Sequence, residues 1–538
     1  MAMNRTDTAL SDGMRTDIQS LARDLAAIVG GDHVHDDSAT RTFHSQDIYT
    51  RAAETAALVV APADTAQLAA VVAACAAAGH PCTPRGGGMS YTKGYLPTSA
   101  ATVMLDLGRM DKVLDVRADD MVVTVQAGCT WKTLNDTLAP LGLRTPYWGP
   151  LSGLLSTVGG GLSQGNAFFG AGHHGTSSES MVALTLVMAD GRILRTGARG
   201  ADGDSPYYRF YGPDLAGIFT GDCGTLAIKA EITLRLIPLP QHEAYASFSF
   251  KTDSDMFAAM AAITRAGIAC EICGFDPRLT RIRLKRASLA ADLGALKNVV
   301  GKQSTLLGGL KEAAKIALAG RGFIDDGDYA LHIVCEGRSA AGVADDLAAA
   351  RAIAARHQGH EVENTIPKVF RAQPFVALNA VLGPGGERWA PIHALTPLSR
   401  AHEIFTAMEA ELTSMRAELN DHKVEHAYLF TAMSTNAIII EPVFYWPDAL
   451  LEVHEAVVES NHLAKLTRNP PNPAAAAMVE KARQRLLALF LRNGLAHFQI
   501  GRTYPYLPSR DAASIDLLRA LKAALDPAHT LNPGALGL

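Results

Sequence analysis

The chain has 538 residues, too many for one hydrophobic core, so we predict two or more domains. Hydrophobic residues make up 48% and charged residues 19%, which is typical of globular proteins, and a net charge of -5 argues against a nucleic-acid-binding protein. The seven cysteines are sparse, the N-terminus has no secretory signal, and no apolar run is long enough to span a membrane, so we expect a cytoplasmic protein.

Strands and helices alternate in short segments after the N-terminal arm. The run "ALVVAPA" predicts a buried strand, and "DTAQLAAVVAACAAAG" predicts a helix that begins after Asp64 and ends near Gly79. The run "CTPRGGG" predicts a strand that enters a glycine turn, and a further helix is expected to begin after Thr130. The segment "MVALTLVMADGRILRTG" predicts a β-hairpin, because Asp190 and Gly191 join its two apolar runs.

The sequence changes in character after residue 240. Helical blocks are predicted at 255–267, 340–357, 400–419 and 475–493. They alternate with isolated strand-like runs such as "YALHIVCE" and "NAIIIEPVFYW", a pattern typical of a second, α+β domain. The last helix is expected to end at Asp526 and Pro527.

Three glycine-rich segments are the first candidate functional feature. They are "RGGGMS" at 85–90, "STVGGGLSQGN" at 156–166, and "GDCGTLAIKAEITLRL", in which Gly224 and Thr225 are expected to open a strand. Backbone amides in a glycine turn can converge on an anion, and the absent side chains allow close approach. One such turn is often only a tight surface loop, but three suggest an extended, phosphate-bearing ligand. No Walker A pattern is present, and we expect no Rossmann turn, so the segments predict a dinucleotide held by another fold.

Four longer motifs in the same order indicate a family. They read "PRGGGMS", "STVGGGLSQGNAFFGAGHHGTSSESMVALTLVMADGRILRTG", "YGPDLAGIFTGDCGTLAIKAEITLRLIPLP" and "ALDPAHTLNPGALG". Together they resemble the FAD-linked oxidoreductases of the vanillyl-alcohol oxidase / p-cresol methylhydroxylase superfamily, and within it the D-lactate dehydrogenase and glycolate oxidase flavoproteins. The resemblance implies an α+β fold, with a two-part FAD-binding domain, a cap domain that binds substrate, and a C-terminal segment that returns to the flavin.

The resemblance also implies which residues bind FAD. They follow the cofactor from the diphosphate, along the ribityl chain and the adenosine half, to the flavin ring. The set is Arg85, Gly86, Gly87, Gly88, Met89, Ser90, Pro150, Ser156, Thr157, Gly159, Gly160, Gly161, Gly165, Asn166, His174, Gly175, Gly224, Thr225, Leu226, Ile228 and Asn532. The three glycines after Arg85 are then expected to lie against the FAD diphosphate.

Two features of the resembled family are missing from this chain. Met89 occupies the place of a histidine that some members link covalently to the flavin, so we expect FAD to be bound non-covalently. The metal signature H-x-G-D-G-N-x-H of the D-2-hydroxy-acid dehydrogenases is absent, and their later E-H-G motif survives only as Ala496, His497 and Phe498. We therefore predict no metal site of that type.

The segment "AHFQIGRTYPYL" contains one group of candidate catalytic residues, His497, Arg502, Tyr504 and Tyr506. In an extended chain, the last three would share one face. An arginine with two phenols could hold a carboxylate or a phenolate, and the tyrosines could assist the deprotonation of an alcohol. The alternative is a surface strand whose tyrosines pack on the cap.

Two further candidates lie in the predicted cap. In "GGERWAPIHALTPLS", Arg388, Trp389 and His393 combine a cation, a flat wall and a base, although a lone histidine is more often a structural hydrogen-bonding group. Glu441, at the end of "NAIIIE", is another polar candidate.

The resemblance and these residues predict an enzyme that removes a hydride from the hydroxyl-bearing carbon of a small alcohol or 2-hydroxy acid. An alternative is the oxidation of a phenolic or aromatic alcohol, and one of another class is a non-catalytic, flavin-binding electron-transfer subunit. The electron acceptor could be oxygen, a quinone or a cytochrome, and the superfamily implies a homodimer. The predicted divisions are an N-terminal arm (1–50), an FAD-binding domain (51–240), a cap (241–505) and a C-terminal return (506–538).

Overall fold

The structure of the protein is a computed structural model that describes residues 12–199, 205–282 and 327–538. Two larger sheets lie in the N-terminal half, beside two short two-stranded ones. The first has four strands in the order Val34–His35, Leu58–Val60, Val103–Asp106 and Cys82–Arg85, the last three of which are parallel. The second is antiparallel, with the order Val113–Arg117, Val122–Gln126, Ile228–Arg235, Met181–Val187 and Ile193–Arg195. Both sheets contribute buried residues to one hydrophobic core.

Local signals in the sequence explain the elements of this half. The helix Thr65–Ala77 begins where the Asp64 side chain accepts a hydrogen bond from the amide of Gln67 at 2.8 Å. The hairpin between Met181–Val187 and Ile193–Arg195 turns at Gly191, whose φ of 81° favours glycine. The prediction of both elements is confirmed.

The C-terminal half is built on a third sheet of eight strands. Seven run in the order His360–Val362, His242–Phe250, Tyr329–Gly337, Glu271–Phe275, Glu425–Met433, Ala437–Trp446 and Arg388–Pro391, and Ala394–Pro397 also pairs with Ala437–Trp446. The longer helices that accompany it are Asp253–Ala266, Ala340–Arg356, Ala401–Ser414 and Pro473–Arg492. Their buried faces join those of the sheet in a second core, so this half is a sheet packed against helices, as an α+β domain requires.

The chain returns to the first sheet at its C-terminus. After the helix Ala512–Leu525, Leu531 pairs with Cys82 at the edge of the strand Cys82–Arg85. The amide of Cys82 donates to the carbonyl of Thr530 at 2.7 Å, and the amide of Asn532 donates to the carbonyl of Cys82 at 2.8 Å. The last residues therefore support the strand that leads into the first glycine segment.

Two predicted segments have a different conformation. Residues 158–164, within the second glycine segment, form a short helix rather than a loop, and Thr157 accepts from the amide of Gly160 at its start. Residues 501–509 form turns and a short 3-10 helix rather than an extended strand, because Gly501 adopts a left-handed φ of 56°. In the described ranges, no helix combines the length and the apolar character that a membrane crossing requires.

Candidate functional site

A cavity lies between the glycine segments and the third sheet. Its walls come from both halves of the chain: the segments 84–91, 150–168 and 223–229 on one side, and 370–381, the strands of the third sheet and residues 498–499 on the other. Fifteen of the residues predicted to bind the cofactor line it, namely Gly86, Gly87, Gly88, Met89, Ser90, Pro150, Ser156, Thr157, Gly159, Gly160, Gly161, Gly165, Asn166, Gly224 and Ile228.

Unpaired polar groups line the wall formed by the glycine segments. In the described part of the chain, the amides of Gly86, Gly87, Gly88 and Met89 donate to no protein acceptor; Gly88 is buried and the other three residues are half-buried. The buried Oδ1 of Asn166 also has no partner within the protein. Buried polar groups are normally hydrogen-bonded, so the unpaired Oδ1 of Asn166 and the free amides beside it are available to a ligand. An extended ligand that carries phosphate oxygens matches the amide donors, and a hydroxyl group on that ligand matches the acceptor on Asn166.

Protein atoms lie close to the three glycines on the side where a side chain would be. An ideal Cβ on Gly87 would lie 1.9 Å from the carbonyl oxygen of Leu155, and one on Gly86 would lie 2.4 Å from Oγ1 of Thr157. A Cβ on Gly88 would meet the Arg85 guanidinium at 2.2 Å. The glycines are therefore required because two loops pack against each other, and this packing sets the positions of the amides that face the cavity.

Six of the predicted cofactor residues do not line the cavity. They are Arg85, His174, Gly175, Thr225, Leu226 and Asn532. Arg85 is only 5% exposed and lies behind the loop, where it packs over the rings of Phe43 and Tyr95 at 5.0 and 5.7 Å. Its charge there favours an anion on the other side of the glycines, without direct contact.

Asn532 and Arg502, both predicted site residues, are hydrogen-bonded to each other in a structural clasp. The Asn532 amide donates to the carbonyls of Gly94 and Cys223 at 2.8 and 2.6 Å, and its Oδ1 accepts from Arg502 at 2.6 Å. The terminal nitrogens of Arg502 also donate to the carbonyls of Lys93, Leu96 and Pro533, whereas its buried Nε has no partner among the described residues. These contacts tie the two residues to the fold, and neither of them lines the cavity.

A buried network of His393, Tyr504 and His497 lies behind the cavity wall. The Tyr504 hydroxyl accepts from the amide of His393 at 2.7 Å and lies 3.1 Å from Nδ1 of the same histidine. Nε2 of His393 lies 2.8 Å from the carbonyl oxygen of Phe498, and Nδ1 of His497 lies 2.9 Å from the carbonyl oxygen of His393. Phe498 itself lines the cavity, whereas the three predicted catalytic residues do not. They lie behind the wall and are hydrogen-bonded to its backbone, and Tyr506 and Arg388 also lie outside the lining.

The protonation of His393 leads to a testable prediction. Burial, with a smaller contribution from His497, lowers its pKa to about 3, whereas a histidine in an unfolded chain has a pKa of about 6.5. The contribution of neutral His393 to the free energy of unfolding is complete above pH 6.5. It is lost as the pH falls from 6.5 towards 3, because in that range the histidine binds a proton in the unfolded chain but not in the folded one. We expect His393→Asn to flatten the pH dependence of the unfolding free energy by up to ~1.4 kcal/mol per pH unit below pH 6. Urea denaturation at pH 7, 6, 5 and 4.5 measures this, and identical slopes for both proteins would contradict it.

The end of the cavity nearest the third sheet carries a compact polar group that the sequence only partly predicted. Tyr91, 8% exposed, accepts from the Gln499 side chain at 3.2 Å, and its ring meets Trp389 edge-to-face at 5.5 Å. Glu441, which the sequence did identify, and Thr431 line the same end. Tyr91 follows the first glycine segment by one residue, and that position was its only signal in the sequence.

Segment 370–381 covers one side of the cavity and was not predicted. It contributes the lining residues Phe370, Gln373, Pro374, Val376, Ala377, Leu378, Ala380 and Val381. Phe375 inserts between Gly149 and Gly153, since a Cβ on either glycine would approach its ring within 2.7 and 2.4 Å. Trp148 packs on the same ring with centroids 5.9 Å apart. This aromatic contact holds the segment against the opposite half of the chain.

A buried ion-pair network fixes the start of the same segment. Arg371, in the helix Thr365–Ala372, pairs with Glu336 and lies 2.9 Å from Glu271. Arg144, from the N-terminal half, binds both oxygens of Glu336. Burial raises the pKa of Glu271, whereas at Glu336 the two guanidinium groups outweigh burial and hold the pKa at about 2. The guanidinium groups of Arg144 and Arg371 also lie over the Trp148 ring, at 5.5 and 5.1 Å respectively.

His173 and His174 lie beside this network and not in the cavity. With Glu336 they form a group whose ligand atoms lie within 4.8 Å of one another, but the Glu336 carboxylate is already bound by two arginines. Burial lowers the pKa of His174 to about 4, so that side chain is neutral near pH 7. The stretch Gly170–Gly175 does match G-x-G-x-x-G, contrary to our expectation, yet no strand precedes it as a Rossmann turn requires.

Two family models match the parts of the chain that build this site. Residues 56–197 match the FAD binding domain, and residues 502–536 match the C-terminal domain of FAD linked oxidases. The first range contains the first and second glycine segments. The second range contains the Arg502–Asn532 clasp and most of the C-terminal return. FAD is therefore the cofactor of this domain, and the unpaired amides and Asn166 fit its diphosphate and ribityl oxygens.

Curated relatives match the chain over part of its length. A mitochondrial D-lactate dehydrogenase [cytochrome] of Saccharomyces cerevisiae is 31% identical over 213 residues, which is 39% of this chain and 35% of the relative. The glycolate oxidase subunit GlcD of Bacillus subtilis is 28% identical over 217 residues, 40% of this chain and 44% of the relative. The chain thus spans about a third to a half of the length of these relatives.

Solved structures match the whole fold. Alkyldihydroxyacetonephosphate synthase superposes with a TM-score of 0.68 over 99% of this chain and 86% of that chain, at 17% identity. p-Cresol methylhydroxylase with substrate bound superposes with a TM-score of 0.73 over 99% of this chain and 98% of that chain, also at 17% identity. The chain therefore contains the FAD binding domain and the C-terminal domain of FAD linked oxidases, and it has the fold of the p-cresol methylhydroxylase-type flavoproteins.

Proposed function

We propose that the protein is an FAD-dependent oxidoreductase that removes a hydride from the hydroxyl-bearing carbon of a small organic substrate. The observation that carries this proposal is the shared cavity, in which the FAD binding domain forms one wall and the strands of the third sheet form the other. Bound FAD supplies the redox chemistry, since its ring accepts a hydride from carbon. An enzyme needs a cap that encloses a substrate beside the flavin ring. A subunit that only transfers electrons has no need of such a cap.

The residues at the far end of the cavity support a role in handling the hydroxyl group. Glu441 presents a carboxylate, which can accept the hydroxyl proton as the carbon loses its hydride. Tyr91 and Gln499 lie at the same end and are already hydrogen-bonded to each other, so they can orient the oxygen. Trp389 forms a flat apolar wall beside them and limits the entry of water.

Replacing Glu441 by glutamine tests this assignment. We expect the rate of anaerobic flavin reduction by substrate to fall by ~100-fold or more, because an amide keeps the shape of the side chain but cannot accept the proton. The FAD content should not change, since the glycine segments hold the cofactor. Glu425→Gln, an exposed position on the strand Glu425–Met433, is the matched control. Equal reduction rates for E441Q and E425Q would remove Glu441 from the mechanism.

The binding of FAD is expected to be non-covalent. Met89 faces the cavity where a linking histidine would be needed, and among the described lining residues there is no histidine. Burial raises the pKa of Cys223, the lining thiol, to about 12, so this thiol stays protonated and is a poor nucleophile. Acid precipitation should leave the yellow colour in the supernatant, and flavin that stays with the precipitate would show a covalent link.

A further inference from the structure

The segment that covers the cavity, residues 370–381, is attached to the rest of the protein at three points. Eight of its twelve residues line the cavity. Of the other four, three are spaced four residues apart along the chain, namely Arg371, Phe375 and Asn379. The side chains of these three residues contact other parts of the fold, so they act as the attachment points of the segment.

The two outer attachment points are polar and firmly held. Arg371 pairs with Glu336 and Glu271 in the buried network described above. The side-chain amide of Asn379 donates to the carboxylate of Glu459 at 2.8 Å, and its Oδ1 accepts from the backbone amide of the same glutamate at 3.2 Å. Both ends of the segment are therefore fixed by hydrogen bonds to the protein.

The stretch between these ends, residues 374–378, has little backbone attachment. Within the described ranges, the amides of Phe375, Val376, Ala377 and Leu378 donate to no protein acceptor. Pro374 has no amide hydrogen to donate. Segments with few backbone hydrogen bonds open locally at a low cost in free energy. The middle of the cover is therefore the part that can move while its two ends stay in place.

The Phe375 ring is the middle attachment point. It lies in a notch between Gly149 and Gly153, where it meets the rings of Trp148 and Phe169 edge-to-face at 5.9 and 6.0 Å. Phe375 itself is only half-buried. Ring contacts thus hold this stretch against the opposite half of the chain. Withdrawal of one ring would release it without breaking a hydrogen bond of the four amides.

The stretch lies next to the end of the cavity formed by the third sheet. Phe370 and Phe375 pack against the same apolar cluster as Trp389 and Leu429, and these last two residues line that end. Enzymes that enclose a substrate beside a cofactor commonly use a short moving element, which admits the substrate and then excludes water. Residues 374–378 have the position and the loose attachment that such an element needs.

We propose that residues 374–378 form a gate to the third-sheet end of the cavity and that the Phe375 ring is its latch. The gate is closed when the ring lies in the notch between Gly149 and Gly153. When the ring leaves the notch, a small organic molecule can enter or leave between the fixed points at Arg371 and Asn379. The gate controls access only, so it stands or falls separately from the proposed reaction.

A thiol placed inside the cavity reports on the gate. Thr431→Cys provides it, because Thr431 lines the third-sheet end and is 6% exposed. The FAD-loaded protein is mixed with 4,4′-dithiodipyridine, an uncharged disulfide with two rings, and the rate of thiol–disulfide exchange is measured. The chain without this substitution gives the background, since its seven cysteines are all buried. Adding Phe375→Ala is expected to raise the rate at least ~10-fold, because the two aromatic contacts that close the gate are lost.

Gly153→Ala tests the latch from the opposite wall. Its new Cβ would lie 2.4 Å from the Phe375 ring, so the ring must leave the notch, and the exchange rate should again rise at least ~10-fold. Phe210→Ala, at a 62% exposed position outside the cavity, is the control and should leave the rate unchanged. If F375A does not retain FAD, G153A decides alone. An unchanged rate would overturn the gate, as would a Thr431→Cys thiol that reacts as fast with Phe375 in place as it does in urea.

Discussion

Replacing Arg371 by methionine is expected to lower the free energy of unfolding by about 3–5 kcal/mol. The guanidinium is fully enclosed and pairs with Glu336 and Glu271, whose side chains are 5% and 9% exposed. Removing it leaves buried carboxylates with only Arg144 to compensate, and a buried charge without its partner is strongly destabilising. Urea denaturation at pH 7, followed by circular dichroism, measures the change.

Arg351 provides the matched control for this substitution. It pairs with Glu361 at 2.8 Å, but the two side chains are 47% and 39% exposed, so Arg351→Met should cost less than ~1 kcal/mol. A loss of stability in R371M no larger than that in R351M would show that the buried network contributes little. Because Arg371 precedes the segment that covers the cavity, R371M should also weaken FAD binding.

Replacing Gly87 by alanine is expected to weaken FAD binding by ~10- to 100-fold. The new Cβ would lie 1.9 Å from the carbonyl oxygen of Leu155, and this contact is backbone against backbone, which no side-chain rotation relieves. The two loops must separate, which displaces the amides of residues 86–89 from the cavity wall. Titration of the apoprotein with FAD, followed by quenching of flavin fluorescence, measures the affinity.

The control for this substitution is Gly31→Ala. An ideal Cβ on Gly31 meets no atom within 4 Å, and the glycine does not have a positive φ. G31A should therefore bind FAD as tightly as the natural chain. Unchanged affinity in G87A would mean that the first glycine segment does not position the cofactor.

Local chemistry explains why the N-terminal half was predictable. The helix start at Asp64 and the hairpin turn at Gly191 each depend on contacts among three or four neighbouring residues. Their positions can therefore be predicted from the adjacent sequence. The glycine segments were also conspicuous, and most of the residues assigned to the cofactor by resemblance line the cavity. The reason for the glycines was not predictable, because Gly87 and Leu155 are far apart in the chain.

The candidate catalytic residues were harder to predict because their partners are distant. Arg502 has the chemistry of a carboxylate anchor, yet its donors bind Asn532 and the carbonyls of Lys93 and Leu96, about 400 residues earlier in the chain. The sequence shows which groups are present, but the tertiary fold decides which of them remain available to a ligand. Tyr91 illustrates the opposite case, since an ordinary tyrosine after a glycine loop becomes a wall of the cavity.

The predicted domain limits, the cytoplasmic location and the homodimer remain predictions. The contact between Leu531 and Cys82 shows that the C-terminal residues pack on the first sheet, which is the part of the domain organisation that bears on the site. The third sheet begins at His242, and its strands Glu425–Met433 and Ala437–Trp446 carry Thr431 and Glu441 to the cavity.

The measurement that tests the central claim most directly is an anaerobic titration of the purified yellow protein with alcohols, followed by flavin absorbance. The account predicts one FAD per chain and bleaching of the flavin absorbance, to the two-electron reduced state, by an alcohol or hydroxy acid. A colourless protein that takes up no FAD, or a bound flavin that no alcohol or hydroxy acid reduces, would contradict it.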